Sequence, residues 1–278
     1  MLTNIKMLLA ACNKLAIEYQ ILHPHQNLVK VNIGDRDFFF TNYSTPLTPQ
    51  SIAEIFKDKQ YFYQVFQDVV KMPRTLSFVS PYCDRKYQEY LKFSSIDQII
   101  NEIENNFDLP IIIKRNRGSG GNNVFKCDDL LQIRNALEQI FNVNSKNYDY
   151  VALAQEPINI VKEYRCVCLN KEQVILYDKD FSQAAFTGNL SPLHWEGAIA
   201  KQVSDRQIIA DIDQFIQPIF QKMPAIAYVG LDIAVDNCGI YWLIEANSHP
   251  NFDIFIRDNG EEAIVELFQK ILQYLNKQ

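Results

Sequence analysis

Glycine is scarce in this chain, with nine in 278 residues. Three of the nine crowd into four positions, Gly118, Gly120 and Gly121. No run of about eighteen apolar residues occurs, so no segment is suited to span a bilayer as a helix. Basic residues are not in excess: the net charge of −6 argues against a general nucleic-acid surface, though not against a local basic pocket. The six cysteines, at 12, 83, 127, 166, 168 and 238, show neither a C-x-x-C pair nor zinc spacing. Cys166 and Cys168, two apart in a predicted strand, share a face and read as small core residues. A reduced, cytoplasmic compartment fits this usage. Leu9-Ala10-Ala11-Cys12 has the form of a lipoprotein cleavage box. The apolar run before it, Met7 to Ala11, is shorter than a signal core of about seven to fifteen residues. Repeats and low-complexity tracts are absent.

What is present reads as α+β, with antiparallel sheets and helices packed on their faces. A helix occupies Met1 to Glu18. Three short strands follow: Tyr19 to Leu22, Leu28 to Ile33 and Asp37 to Thr41, the last two joined at Gly34-Asp35. Helices begin at Thr48-Pro49-Gln50 and at Asp58. Arg74 to Val79 is a strand, Ser95 to Asn106 a helix, Ile111 to Arg115 a strand and Val124-Phe125 a short one. A helix capped by Asp128 runs to Phe141, and Tyr150 to Gln155 is a strand. Tyr164 to Leu169 and Gln173 to Asp178 turn at Asn170-Lys171. Phe181 to Trp195 reads as irregular. Helices at Asp205 to Phe220 and Glu261 to Leu275 flank a hairpin.

That hairpin, within Ala225 to Asn251, carries the sharpest signal. Its first strand holds Asp232, and its second holds Glu245 and Asn247. Side chains alternate along a strand, so an even loop places all three on one face. An odd loop without a bulge would turn Asp232 away. Two carboxylates and an amide oxygen suit Mg²⁺; a solvated hairpin face is the ordinary alternative. The second signal is the glycine cluster after Ile111 to Arg115. Glycines let successive N–H groups turn toward one point, which makes an anion cradle, and Lys114 adds a point charge. Neither a Walker loop nor a G-x-G-x-x-G fingerprint is present, and a flexible hairpin loop is the ordinary alternative.

In order, Lys57-Asp58-Lys59, Met72-Pro73-Arg74-Thr75, Ile113-Lys114 with its glycines, Gln155-Glu156-Pro157, Lys162-Glu163-Tyr164-Arg165, and Asp232 with Glu245-Ala246-Asn247 resemble the ATP-grasp superfamily. The likeness is to its carboxylate–amine ligase branch, with glutathione synthetase, cyanophycin synthetase and the ribosomal-protein glutamate ligase. It implies two α+β lobes gripping ATP. Lys59 and Lys114 would meet the phosphates, and Arg117, Gly118, Ser119, Gly120 and Gly121 would form a lid. Gln155, Glu156, Pro157 and Ile158 would meet adenine, and Glu163 the ribose. Asp232, Glu245 and Asn247 would hold two Mg²⁺ ions, or Mn²⁺. Arg165, with Lys114, is the candidate catalytic cation; Lys179, Asn189 and His194 are weaker substrate candidates.

The domains expected are 1–56, a short N-terminal subdomain; 57–158, with the glycine loop; and 159–278, with the metal site. The activity implied is ADP-forming amide synthesis from a carboxylate and an amine of amino acids or peptides. A regulatory ATP-binding protein or a small-molecule kinase on the same scaffold are the alternatives. D-alanine-type ligases carry an arginine two residues before the first metal aspartate. Gly230 stands there, which argues against D-alanine ligation. The short N-terminal segment leaves two arrangements open: it suffices alone, or a homodimer or partner subunit completes the site.

Overall fold

A computed structural model of the chain describes residues 1–118, 120–185, 188, 191, 193 and 195–278. Helix α1 (Thr3–Leu15) buries Ile5, Leu8, Leu9 and Cys12 along one face. It leads into an antiparallel meander of β1 (Tyr19–Ile21), β2 (Leu28–Ile33) and β3 (Arg36–Thr41). In β2 Val29, Val31 and Ile33 point inward, the period-two pattern of a half-buried strand. Helix α2 (Gln50–Lys57) starts behind Pro49. Helix α3 (Lys59–Phe66) is capped by the buried Asp58, whose carboxylate accepts from Tyr61 N–H at 3.0 Å.

The middle of the chain forms a four-stranded antiparallel sheet. Its strands are β4 (Thr75–Val79), β5 (Ile111–Arg115), β6 (Val124–Cys127) and β7 (Val151–Gln155), in the order β4-β7-β5-β6. Helices α4 (Ile96–Asn106) and α5 (Leu130–Ile140) bury Ile99, Ile103, Ile133 and Leu137 against it. A short 3₁₀ helix spans Arg85–Tyr90. The cap of α5 is Asp129, not Asp128: its carboxylate accepts from Gln132 N–H at 2.8 Å. The two adjacent aspartates are equivalent to a sequence rule, and only the chain direction into the helix separates them.

The last part forms a five-stranded antiparallel sheet of β8 (Ile160–Leu169), β9 (Glu172–Asp180), β10 (Ile199–Gln202), β11 (Tyr228–Asp236) and β12 (Tyr241–Asn247), in the order β10-β9-β8-β11-β12. Strands β8 and β9 are longer than their apolar runs indicate, because β11 pairs with β8 out to Ile160 and β10 pairs with β9 out to Asp180. Strand β10 escaped the sequence reading, since Ala200 is its one buried residue. Helix α6 (Arg206–Lys222), with α2 and α3, covers one sheet face and encloses Cys166, Cys168, Val229 and Leu231. Short α7 (Asp253–Asn259) and α8 (Glu262–Asn276) close the chain.

The opposite face of that sheet is divided. Its apolar half, with Val167, Leu169, Tyr177 and Tyr228, shares one core with α1, β2, β3 and α8. The first 47 residues therefore pack on the last 25 rather than standing apart. Lys6–Glu261 and Lys14–Glu262 pairs rim the α1–α8 contact, where exposed pairs add little. Among the described residues no helix is long and apolar enough to cross a membrane.

Because α1 belongs to this shared core, Leu8→Ala should cost about 2–5 kcal/mol in one urea transition. A loss too small to detect would mark the N-terminal segment as a separable appendage.

Candidate active site

The hairpin of β11 and β12 solves its register problem with a bulge. Val235 pairs with Tyr241, leaving an odd loop of five residues, yet Asp232 pairs with Glu245. The shift falls between Asp232 and Ile233, so Ile244 is the extra residue. Without it Asp232 would oppose Ile244, and Glu245 would turn to the other face. Asp236 shapes the loop by accepting from Cys238 N–H, Ile240 N–H and Trp242 Nε1–H. The sequence reading left loop parity open, and the bulge decides it.

Across the sheet Tyr177 pairs with Arg165, Arg165 with Asp232, and Asp232 with Glu245. Arg165, Asp232 and Glu245 stand on the half of the face that the apolar core leaves uncovered, and Tyr177 marks the edge of that core. Asp232 is 2% exposed. The Arg165 guanidinium grips both of its oxygens, Nη2 to Oδ2 at 2.9 Å. Lys179 Nζ lies 3.0 Å from Oδ1 and also pairs with buried Glu163. Burial alone would raise the Asp232 pKa, but Arg165 and Lys179 hold it well below the usual carboxylate range. Burial pushes Glu163 upward, against the pull of Lys179. Gly230 lies beside this grip: a Cβ there would sit in ordinary contact with Arg165 Cδ, at 3.4 Å, and tightly against Pro250 Cβ, at 3.2 Å.

The four-stranded sheet faces this row across a cavity of about 890 Å³. Lys114, 6% exposed, donates to Gln155 Oε1 at 2.9 Å, and Gln155 donates to Thr75 Oγ1 at 2.8 Å. Burial, then the nearby charge of Lys59, lower the Lys114 pKa to about 8, with Glu245 opposing. Lys59, first residue of α3, donates to the Gly118 carbonyl at 2.7 Å and lies 3.9 Å from Glu245. It therefore bridges the glycine loop and β12. Among the described residues six basic side chains line the cavity against four carboxylates, a balance that favours an anionic ligand.

Most residues singled out from the sequence meet in this cavity. Lys59, Lys114, Gly118, Gly120, Gly121, Gln155, Glu156, Pro157, Ile158, Glu163, Arg165, Lys179, Asp232, Glu245 and Asn247 all line it. Arg117 does not: its guanidinium turns to Asp58 and Glu54, each at 3.4 Å, and its N–H donates to Asp149 at 2.6 Å. It anchors the base of the loop instead. Ser119, Asn189 and His194 lie outside the described residues. Tyr43, Tyr177, Pro250 and Ile254 also line the cavity. The sequence carries no signal for Tyr43, which arrives through the shared core.

Among the described residues no group of three or more His, Cys, Asp or Glu could hold a metal ion. The nearest donor set is two carboxylates and an amide. Asp232 already has two cation partners, whereas Asn247 Nδ2 is buried without a hydrogen-bond partner among the described residues.

The architecture is the ATP-grasp fold, with cavity and charged row between its two larger sheets. Residues 192–277 match a family model described as YheC/D-like ATP-grasp. Similar solved structures include VanG D-Ala:D-Ser ligase from Enterococcus faecalis (TM-score 0.54, 16% identity, covering 78% of this chain and 62% of that one). A bifunctional glutathione synthetase from Pasteurella multocida is similar too (0.53, 14%, covering 96% and 43%), as is D-alanine–D-alanine ligase from Bacillus anthracis (0.51, 15%, covering 80% and 71%). The chain thus spans less than two thirds of the first two proteins. No curated protein matches by sequence.

Two outcomes follow from the electrostatics. Between about pH 8 and the ordinary value of 10.5, folded Lys114 has released a proton that the unfolded chain keeps. Stability therefore rises with pH in that window, and the penalty is complete below it. Lys114→Met should raise the urea midpoint at pH 7, with the gain shrinking toward pH 10; equal midpoints at pH 7 would mean the ammonium is solvated. Lys179→Met strands buried Glu163 and should cost about 3–5 kcal/mol, part of which Glu163→Gln recovers in the double variant.

Proposed function

We propose that this chain is an ATP- and Mg²⁺-dependent ligase that joins a carboxylate to an amine of amino acids or peptides. The observation that carries the reading is the row of Arg165, Asp232 and Glu245, set across one cavity from Lys114, Lys59 and the glycine loop. Lys59 and Lys114 neutralise the phosphates, and the loop from Gly118 to Gly121 covers them. Gln155 to Ile158 offer backbone groups to adenine, and Glu163 accepts from the ribose hydroxyls. Glu163 must then share or exchange its Lys179 partner.

The donor set fits a hard divalent cation. Glu245 and Asn247 would hold it, and Asp232 would join by giving up a cation partner. When bound, Mg²⁺ supplies charge neutralisation to the phosphates. One substrate carboxylate oxygen attacks the γ-phosphorus of ATP, and the bond to ADP breaks. The amine nitrogen then attacks the acyl carbon, phosphate leaves, and the nitrogen loses a proton. Arg165 stabilises the oxyanion that develops at that carbon. An acyl phosphate hydrolyses readily, so the loop must keep water out. In this reading residues 1–56 give the substrate wall, 57–158 the phosphate lid and 159–278 the reaction row, with α3, inside the second span, packed on the five-stranded sheet of the third. Their residue usage suits the cytoplasm.

The test is ADP release from ATP and Mg²⁺ with pooled amino acids and dipeptides, with hydroxylamine as a trap. Substrate-dependent ADP with a hydroxamate is the expected result. Glu245→Ala should lower ADP formation by about 10²–10³-fold without loss of folding, and undiminished turnover would remove the metal assignment. ADP without hydroxamate would indicate a small-molecule kinase. ATP binding without turnover would indicate a regulatory protein.

A further inference from the structure

Helix α1 carries a buried amide in its first turn. Asn4 is 3% exposed, and its Nδ2 donates to the Pro250 carbonyl at 3.0 Å, across 246 positions of sequence. Its other amide atom, Oδ1, is buried with no hydrogen-bond partner among the described residues. Nor does Asn4 cap its helix: the N-cap is Leu2, whose N–H donates to Asn27 Oδ1 at 2.7 Å. One neutral hydrogen bond contributes little net stability, and a buried oxygen without a partner costs as much or more. Asn4 is thus poorly suited to stabilising the core. What its bond does is fix the place of one carbonyl.

That carbonyl belongs to the segment between β12 and α7. His249, Pro250 and Asn251 line the cavity, and Pro250 stands against Gly230 beside Arg165. The side-chain bonds of the segment run between near neighbours. Ser248 Oγ meets His249 Nδ1 at 2.7 Å, and Asn251 bonds with Asp253 through both of its amide atoms. Such bonds shape the segment without fixing it to the rest of the fold. The Gly230–Asn247 pairing holds one end, and Phe252, buried in the core, holds the other. Between them the bond from Asn4 ties the wall to a distant element.

We infer that Asn4 is a positioning residue. From outside the cavity it holds Pro250, and with it the wall that His249, Pro250 and Asn251 present beside Arg165. The nucleotide contacts proposed above, Lys114 and Gln155 to Ile158, lie on or just after strands of the facing sheet. Loss of the bond therefore disturbs a substrate bound beside Arg165 and leaves the nucleotide in place. Which ligand feels the change rests on the ligase reading; the positioning itself does not. Misplacing a reacting group by about an ångström can cost on the order of 10²-fold in rate, so one bond remote from the chemistry is enough.

The experiment compares Asn4→Leu and Asn4→Ala with the parent chain by amide hydrogen exchange, and by calorimetry with Mg²⁺ and a non-hydrolysable imido analogue of ATP. The Asp253 and Ile256 amides report on the segment, because they donate to Asn251 Oδ1 and to the Phe252 carbonyl. Both should exchange at least about fivefold faster in each variant. Nucleotide affinity should stay within about threefold, while hydroxamate formation from pooled amino acids and dipeptides should fall at least about tenfold. Leu8→Ala is the control: it loosens the same helix and keeps the amide, so it should reproduce neither change. Unchanged exchange in both variants, or equal changes in Leu8→Ala, would overturn the inference. A loss of nucleotide affinity as large as the loss of hydroxamate would overturn the assignment to the substrate end. A parent chain that forms no hydroxamate would defeat the ligase reading, and the exchange result would still decide the positioning.

Discussion

Asp232 is a carboxylate removed from water, and its neighbours are arranged around that fact. A buried charge persists only where opposite charge and hydrogen bonds replace the lost hydration. Here the replacement comes from β8 and β9, through Arg165 and Lys179. The strand order β9-β8-β11-β12 places those cations beside β11. The bulge at Ile244 brings Glu245 opposite Asp232.

The same network bears on ligand exchange. Lys179 and Arg165 hold Glu163 and Asp232, so these acids of the cavity wall are internally neutralised. Lys114 is the opposite case. It is buried near another lysine with its pKa lowered, a strain that an arriving anion would relieve. Paired acids and a destabilised cation on facing sheets make the cavity more receptive to negative than to positive charge.

The N-terminal segment contributes by packing rather than by chemistry. Its helix and three strands complete the core under one half of the five-stranded sheet. That packing carries Tyr43 to the cavity wall and leaves the charged half of the same sheet face open. The C-terminal α8 supplies the rest of that covering layer.

Local pattern determined a good deal by itself. Period-two and helical spacing located most strands and helices, and the caps at Asp58 and Ser95 were legible, because capping depends on neighbours three residues apart. The glycine cluster and the Asp232, Glu245 and Asn247 set were legible because their residue types are chemically unusual for their settings. Four matters were left to tertiary structure. Loop parity alone would have misplaced Asp232, and the bulge corrected it. Arg117 reads as part of the lid by its place beside the glycines, yet Asp58 and Glu54, distant in sequence, draw its guanidinium away. The pairing of Lys179 with both Glu163 and Asp232 depends on strands β8, β9 and β11 lying side by side. Tyr43 joins the cavity because it follows β3, whose meander, early in the chain, shares a core with the five-stranded sheet. In each case the deciding energy is desolvation or packing between segments far apart in the chain, which no local pattern encodes.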